Sequence, residues 1–276
     1  MLFYYAIIVN VWLVVNFFVT LLEELKAKGF EQKSEFKLNL KMLFGNILIQ
    51  GLLSLFGYVL FLAPLLLLKN YVGIQLQGAI WFLPCLIVTD FLYYIKHFVS
   101  HKVKLCWNQH QVHHSSKVYS ISTGYRKSWL EDFYSFIFYT PAVFLGFSPY
   151  LVLLCVFTVH NYSHLLHTKT SLNFNFLNYF FVTVEDHKIH HSSYKKHLDK
   201  NFGGILIIWD KLFNTYSFKE REGIQFGLTD QQPDSSPFKI NFNVWITDFE
   251  KIKILNLKQK IIYFLSSPTA AKKKYS

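Results

Sequence analysis

The chain is short of charge and short of cysteine. Only 16% of its 276 residues are charged, against 52% hydrophobic and 19% aromatic. That excludes a disordered segment, which needs charge and few apolar residues, and it lies outside the balance of ordinary soluble domains. Acidic residues are the scarcer sign, 17 against 28 Lys and Arg, for a net charge of +11. The three cysteines, Cys85, Cys106 and Cys155, are widely spaced and form neither a disulfide framework nor a CxxC site; they read as small core residues. There is no Glu-x-x-His pair, which argues against the soluble carboxylate di-iron bundle. No internal repeat of solenoid length occurs.

What is present is apolar length. Four stretches each hold roughly the 20 residues a helical span needs: Leu2 to Leu22, Met42 to Leu68, Gly78 to Ile95 and Phe133 to His160. The start MLFYYAIIVNVW has no basic segment or small-residue cleavage pattern, so it reads as a retained first span. Pro141, Gly146 and Pro149 interrupt the fourth stretch, which is either one kinked span or a re-entrant hairpin, with the hairpin preferred. Lys26, Lys28, Lys33, Lys37 and Lys41 follow the first span, and Lys96, Lys102, Lys104, Lys117, Arg126 and Lys127 follow the third. Basic residues near span ends stay on the cytoplasmic side. The expectation is an all-α integral membrane protein with about four spans and a cytoplasmic, histidine-rich helical cap. Its membrane is a bacterial inner membrane, or the endoplasmic reticulum if the chain is eukaryotic. The lysines are scattered without a recognition motif, so anionic lipid headgroups and not nucleic acid explain the charge. The terminal AAKKKYS is expected to be disordered.

All 12 histidines fall between residues 97 and 197. They read HFVSH at 97–101, HQVHH at 110–114, HNYSHLLH at 160–167 and HKIHH at 187–191, with His197 apart. Residues at i, i+3 and i+4 project from one helical face. His97 with His101, His110 with His113 and His114, and His187 with His190 and His191 can therefore converge. Eight chargeable rings packed together repel one another unless a cation keeps them neutral. Imidazole-rich sites suit iron, zinc, copper or nickel, and eight nitrogens exceed what one ion takes, so two ions are implied. His164 and His167 are weaker candidates for the same centre, and His160 weaker still. His197 reads as a loop residue. Asp90, seven residues before His97, is placed as a partner that orients a ligating ring through its outer nitrogen. Glu131, Asp132, Glu185 and Asp186 read as solvated or capping residues, and Arg126 as a surface or headgroup-binding residue.

DFLYYIKHFVSH, WNQHQVHHSS, and HKIHH followed by DKNFGGILIIWDKLFNTY resemble the fatty acid hydroxylase superfamily, which includes the sterol desaturases. HQVHHSS, STGYRKS, FIFYTP and HTKT are most similar to its alkylglycerol monooxygenase-type members. The resemblance covers about Trp81 to Ser217 and implies a centre of two iron ions that uses dioxygen to hydroxylate or desaturate a lipid C–H bond. It carries over His97, His101, His110, His113, His114, His187, His190 and His191 as ligands, with His167 as a further candidate. Asn201, Gly203, Gly204, Trp209 and Asp210 match the signature that follows the last box and read as structural. Lys102 and Lys117 stand where alkylglycerol monooxygenases have acidic residues, so a ferredoxin or a cytochrome stands beside reduced pterin as the electron donor. The expected organisation is membrane spans over 1–75, the hydroxylase-like domain over 76–220 and a polar, basic tail over 221–276. A membrane metal transporter or storage protein is the rival class, but a transporter places polar ligands at mid-span, and here the boxes lie beyond span ends.

Overall fold

A computed structural model describes residues 29–57, 74–169, 175–218, 224–229 and 234–275, with positions 11, 15, 18–20, 22 and 67 besides. The first apolar stretch and the second half of the next fall largely outside these residues. Among the described residues the regular structure is helical, and β-bridges occur singly, as between Leu76 and Phe147.

The helices are α1 (Phe30–Gly57), α2 (Phe82–Lys102), α3 (Lys104–His114), α4 (Asp132–Phe144), α5 (Pro149–Leu165), α6 (Val184–His190), α7 (Ile208–Leu212), α8 (Pro237–Ile252), α9 (Leu257–Leu265) and α10 (Pro268–Tyr275). The central α2 packs against α3, α4 and α5. The helical segment Ala79–Lys102 is the one among the described residues that is long and apolar enough to cross a bilayer. It exposes Ile80, Leu83 and Ile87, and α4 exposes Ile137 and Phe144. Runs of exposed apolar side chains mark a surface made for something other than water.

Local chemistry sets the breaks. Val103 alone separates α2 from α3, and its extended backbone (φ −111°, ψ 121°) turns the chain sharply between two histidine-bearing helices. The fourth apolar stretch is two helices. The chain leaves α4 through Gly146 at φ +97°, a conformation that costs glycine least, and re-enters a helix at Pro149, whose fixed φ suits the first turn. Cys85, Tyr93, Tyr139, Val143, Val152, Cys155 and Val159 form the core between α2, α4 and α5, so two of the cysteines are core residues as expected.

Residues 270–275 of the terminal AAKKKYS are not disordered: they lie in α10, with Ala271 buried. Helices α8, α9 and α10 all dock on α3. Asp248 on α8 joins them by accepting hydrogen bonds from Lys104 Nζ (2.6 Å), Asn108 Nδ2 (2.7 Å) and Tyr263 Oη (2.6 Å). The sequence hid this because the anchoring carboxylate is 140 or more residues from its α3 partners.

Candidate metal centre

Helix α2 supplies His97 and His101, one turn apart; α3 supplies His110, His113 and His114; α6 and its C-terminal cap supply His187, His190 and His191. A capping box starts α6: the Asp186 amide donates to Thr183 Oγ1 (3.2 Å) and the Thr183 amide to Asp186 Oδ2 (2.9 Å). His167 follows the end of α5. The rings gather into two groups. His97, His101, His110, His114 and His190 form one, and His113, His167, His187 and His191 the other, with ligand atoms in each lying within 4.8 Å of one another. All are buried except His113, which is half-buried.

Hydrogen bonds at the outer nitrogens fix which way the lone pairs point. Nδ1 of His97, His113, His167 and His190 donates to the main-chain carbonyls of Phe202 (2.9 Å), Arg126 (3.2 Å), His164 (3.1 Å) and Lys200 (2.8 Å). A carbonyl can only accept, so in the neutral ring Nδ1 holds the hydrogen and Nε2 presents a bare lone pair inward. His167 Nε2 lies 3.1 Å from His113 Nε2, 3.1 Å from His191 Nε2 and 3.2 Å from His187 Nε2. His113 and His167 therefore meet lone pair to lone pair, which repels unless a cation stands between them. In the other group His97 Nε2 and His114 Nε2 approach His110 Nε2 at 3.1 and 3.3 Å, while the Nε2 atoms of His101 and His190 are buried with no hydrogen-bond partner. Buried acceptors aimed at a common point without donors are what a metal site leaves behind. The residues fit two ions ligated by nitrogen.

Burial first, and neighbouring rings second, push His113, His114, His187, His190 and His191 well below the ordinary histidine value and His167 down to about 3. These rings resist protonation when folded, so below pH 6.5 the unfolded chain binds more protons and stability falls with pH. The metal-free protein should lose stability from about pH 6.5 downward, as melts at stepped pH would record. A melting temperature unchanged between about pH 7 and 5 would contradict this.

Not every expected residue joins the centre. His164 stands outside both groups, its ring against Tyr125 (4.7 Å) and Gly124, and it contributes its carbonyl to His167. His160 shares a hydrogen bond with Tyr139 Oη (3.2 Å) and reaches neither group. His197 is buried on a turn, with Nδ1 3.0 Å from Ser192 Oγ. Asp90 touches no histidine nitrogen. It accepts hydrogen bonds from the Ile205 amide (2.7 Å), the Leu206 amide (3.1 Å) and Trp209 Nε1 (2.9 Å). Its oxygens are thus taken by the loop that follows Phe202, and it acts on that loop, whose Phe202 carbonyl orients His97. Asp210 holds the same loop through the amides of Phe202 and Gly203, both at 2.7 Å. Both glycines follow from this packing: a Cβ on Gly203 would meet Leu206 O, Asp210 Oδ2 and Val182 at 2.7–2.9 Å, and one on Gly204 would meet Val159, Asp90 and Tyr93 at 2.6–2.8 Å.

Arg126 is not at the surface. It is buried, with its guanidinium 2.5 Å from Glu35 and 3.3 Å from Asn39 Oδ1 on α1. Nor is Glu131 solvated: it is buried and paired with Lys96 Nζ at 2.9 Å. The available signal was Lys96 itself, since an ammonium one residue before His97 in an apolar helix needs a buried counter-charge. Asp132, on the first turn of α4, pairs with Lys127, and Glu185 with Lys188. A cavity of about 90 Å³ borders both histidine groups and is lined as well by Lys96, Glu131, His160 and His164.

Residues 82–215 match the fatty acid hydroxylase family. The chain is 38% identical to human (Homo sapiens) alkylglycerol monooxygenase over 163 residues, covering 57% of this chain and 36% of that protein. It is 28% identical to the ornithine lipid hydroxylase of Rhizobium tropici, covering 48% of this chain and 40% of that protein. With a cholesterol 25-hydroxylase-like protein of Danio rerio the identity is 25%, over 60% of this chain and 71% of the other. The chain thus spans little more than a third of the length of the alkylglycerol monooxygenases it matches. No solved structure matches it.

Proposed function

We propose, from the premise that residues 82–215 are a fatty acid hydroxylase domain, that the chain hydroxylates a C–H bond of a membrane lipid with dioxygen at a centre of two iron ions. The observation that carries this reading is the convergence of nine imidazoles in two groups, with the tautomers of four of them set by main-chain carbonyls. Bound iron supplies dioxygen activation at this site. The protein's part is to hold nine rings neutral and oriented, exclude bulk water, and bring a hydrocarbon alongside. The apolar helices α2 and α5 carry histidines toward their C-terminal ends, which supports a lipid chain approaching the cavity along them. The balance is lipid C–H plus dioxygen, two electrons and two protons, giving lipid C–OH and water. The electrons come from an external donor, a ferredoxin, a cytochrome or a reduced pterin.

The relatives' names span an alkylglycerol, an ornithine lipid and a sterol. Their common feature is a long apolar body, so the substrate class is a bilayer lipid reached from within the membrane. The lysines around α1, α2 and α3 favour the cytoplasmic face for the centre. Transport of metal is disfavoured by placement: a transporter sets its polar ligands at mid-span, whereas these rings sit at the C-terminal end of α2 and on α3 and α6. Lipid extracts from cells with and without the gene, grown under ¹⁸O₂, test the reading. A lipid heavier by one labelled oxygen is expected; identical lipid pools from cells holding the iron-loaded protein would overturn it.

A further inference from the structure

The two histidine groups are backed by different chemistry on their outer sides. In the five-histidine group, His97 and His190 also meet main-chain carbonyls, but carboxylates stand behind the other outer nitrogens: Glu131 Oε1 lies 3.7 Å from His110 Nδ1, beyond hydrogen-bond reach, and Asp199 Oδ1 lies 3.5 Å from His101 Nδ1. In the four-histidine group, the outer nitrogens of His113 and His167 meet the carbonyls of Arg126 and His164. A carbonyl only orients a ring, whereas a carboxylate close behind it adds a negative charge, which makes the inner nitrogen a stronger donor to a cation. Lys96 supplies the counter-charge that lets Glu131 be buried there.

We propose that Glu131 and Asp199 are positioning residues that make the five-histidine group the tighter of the two metal sites, filled first and emptied last. The four-histidine group is then the exchangeable site. This rests on the two-metal reading above. The cavity supports the same division: it is walled by His113, His167 and His187 of the smaller group but only His97 and His110 of the larger. An ion held by four rings beside that space has room for a further ligand, and one held by five has less.

The test uses the full chain in detergent, stripped of metal and titrated with Zn²⁺ against a chromophoric chelator. Two binding steps are expected, separated by about tenfold or more, and Asp199→Asn should weaken the tighter step roughly 10- to 100-fold while leaving the other unchanged. Asp199 has φ +62°, a conformation asparagine tolerates, so this variant keeps its backbone. Asp199→Glu, which keeps the charge, should recover part of the loss. The double variant Lys96→Met with Glu131→Gln removes the buried pair together and should weaken the same step. Two equal steps in the wild type, or a loss confined to the weaker step in Asp199→Asn, would overturn this inference alone. Uptake of less than two equivalents would overturn the two-metal reading with it.

Discussion

Replacing His167 by alanine is expected to release one of two bound ions and to lower lipid hydroxylation by roughly three orders of magnitude, about 4 kcal/mol of barrier. Replacing His164, three residues earlier, should leave both ions in place. The contrast follows from where the rings stand. His167 Nε2 is the common neighbour of three other inward nitrogens, at 3.1 to 3.2 Å. His164 packs on Tyr125, and what it gives the centre is a main-chain carbonyl that alanine also has. Metal analysis of the two purified variants separates them. Equal metal loss in both would mean that the turn after α5, and not the His167 ring, is what the centre needs.

The second large effect is expected at Asp90. Asp90→Ala strands two main-chain amides and the Trp209 indole in a part-buried site. At about 1–3 kcal/mol for each unsatisfied donor the loss is roughly 3–9 kcal/mol, a large share of the stability of a typical domain. The variant should accumulate poorly or melt far below the wild type. Metal content per folded chain should change little, because Asp90 holds the loop and not a ligand. Asp90→Asn should fall between the two, since its carbonyl oxygen still accepts while its amide nitrogen faces donors. Wild-type melting combined with a missing ion would assign Asp90 to the metal after all.

Much of the centre was legible because helical geometry is local. Rings at i and i+4 lie on one face, which is how His97 with His101, His110 with His114 and His187 with His191 come to share a group. The same geometry puts consecutive residues about 100° apart. That is why His113 and His114 serve different groups, as do His190 and His191. Each HxxHH box thus bridges two sites, which corrects the expectation that all three rings of a box converge: the i+3 ring of each box turns to the other group. The two-helix nature of the fourth apolar stretch was legible too, from Pro141, Gly146 and Pro149.

The rest depended on partners far along the chain. Arg126 finds Glu35 91 residues away, Lys96 finds Glu131 35 away, and Asp90 finds Ile205 115 away. Local pattern shows a charged residue in each case and not the partner that lets it be buried. A carboxylate such as Asp90 in an apolar helix is costly unless satisfied, but the donors that satisfy it, on a loop 115 residues away, are a matter of tertiary structure and not of the histidine it was expected to orient. The C-terminal helices were obscured for the same reason. A lysine-rich end looks solvated until Asp248, Tyr263 and Ala271 are seen to turn inward against α3 and one another.

The most direct test is the metal-to-protein ratio of the full chain purified from iron-replete cells. Two groups of converging imidazoles predict two iron ions per chain, falling to one in His167→Ala. A wild-type chain that carries one ion or none would contradict the account.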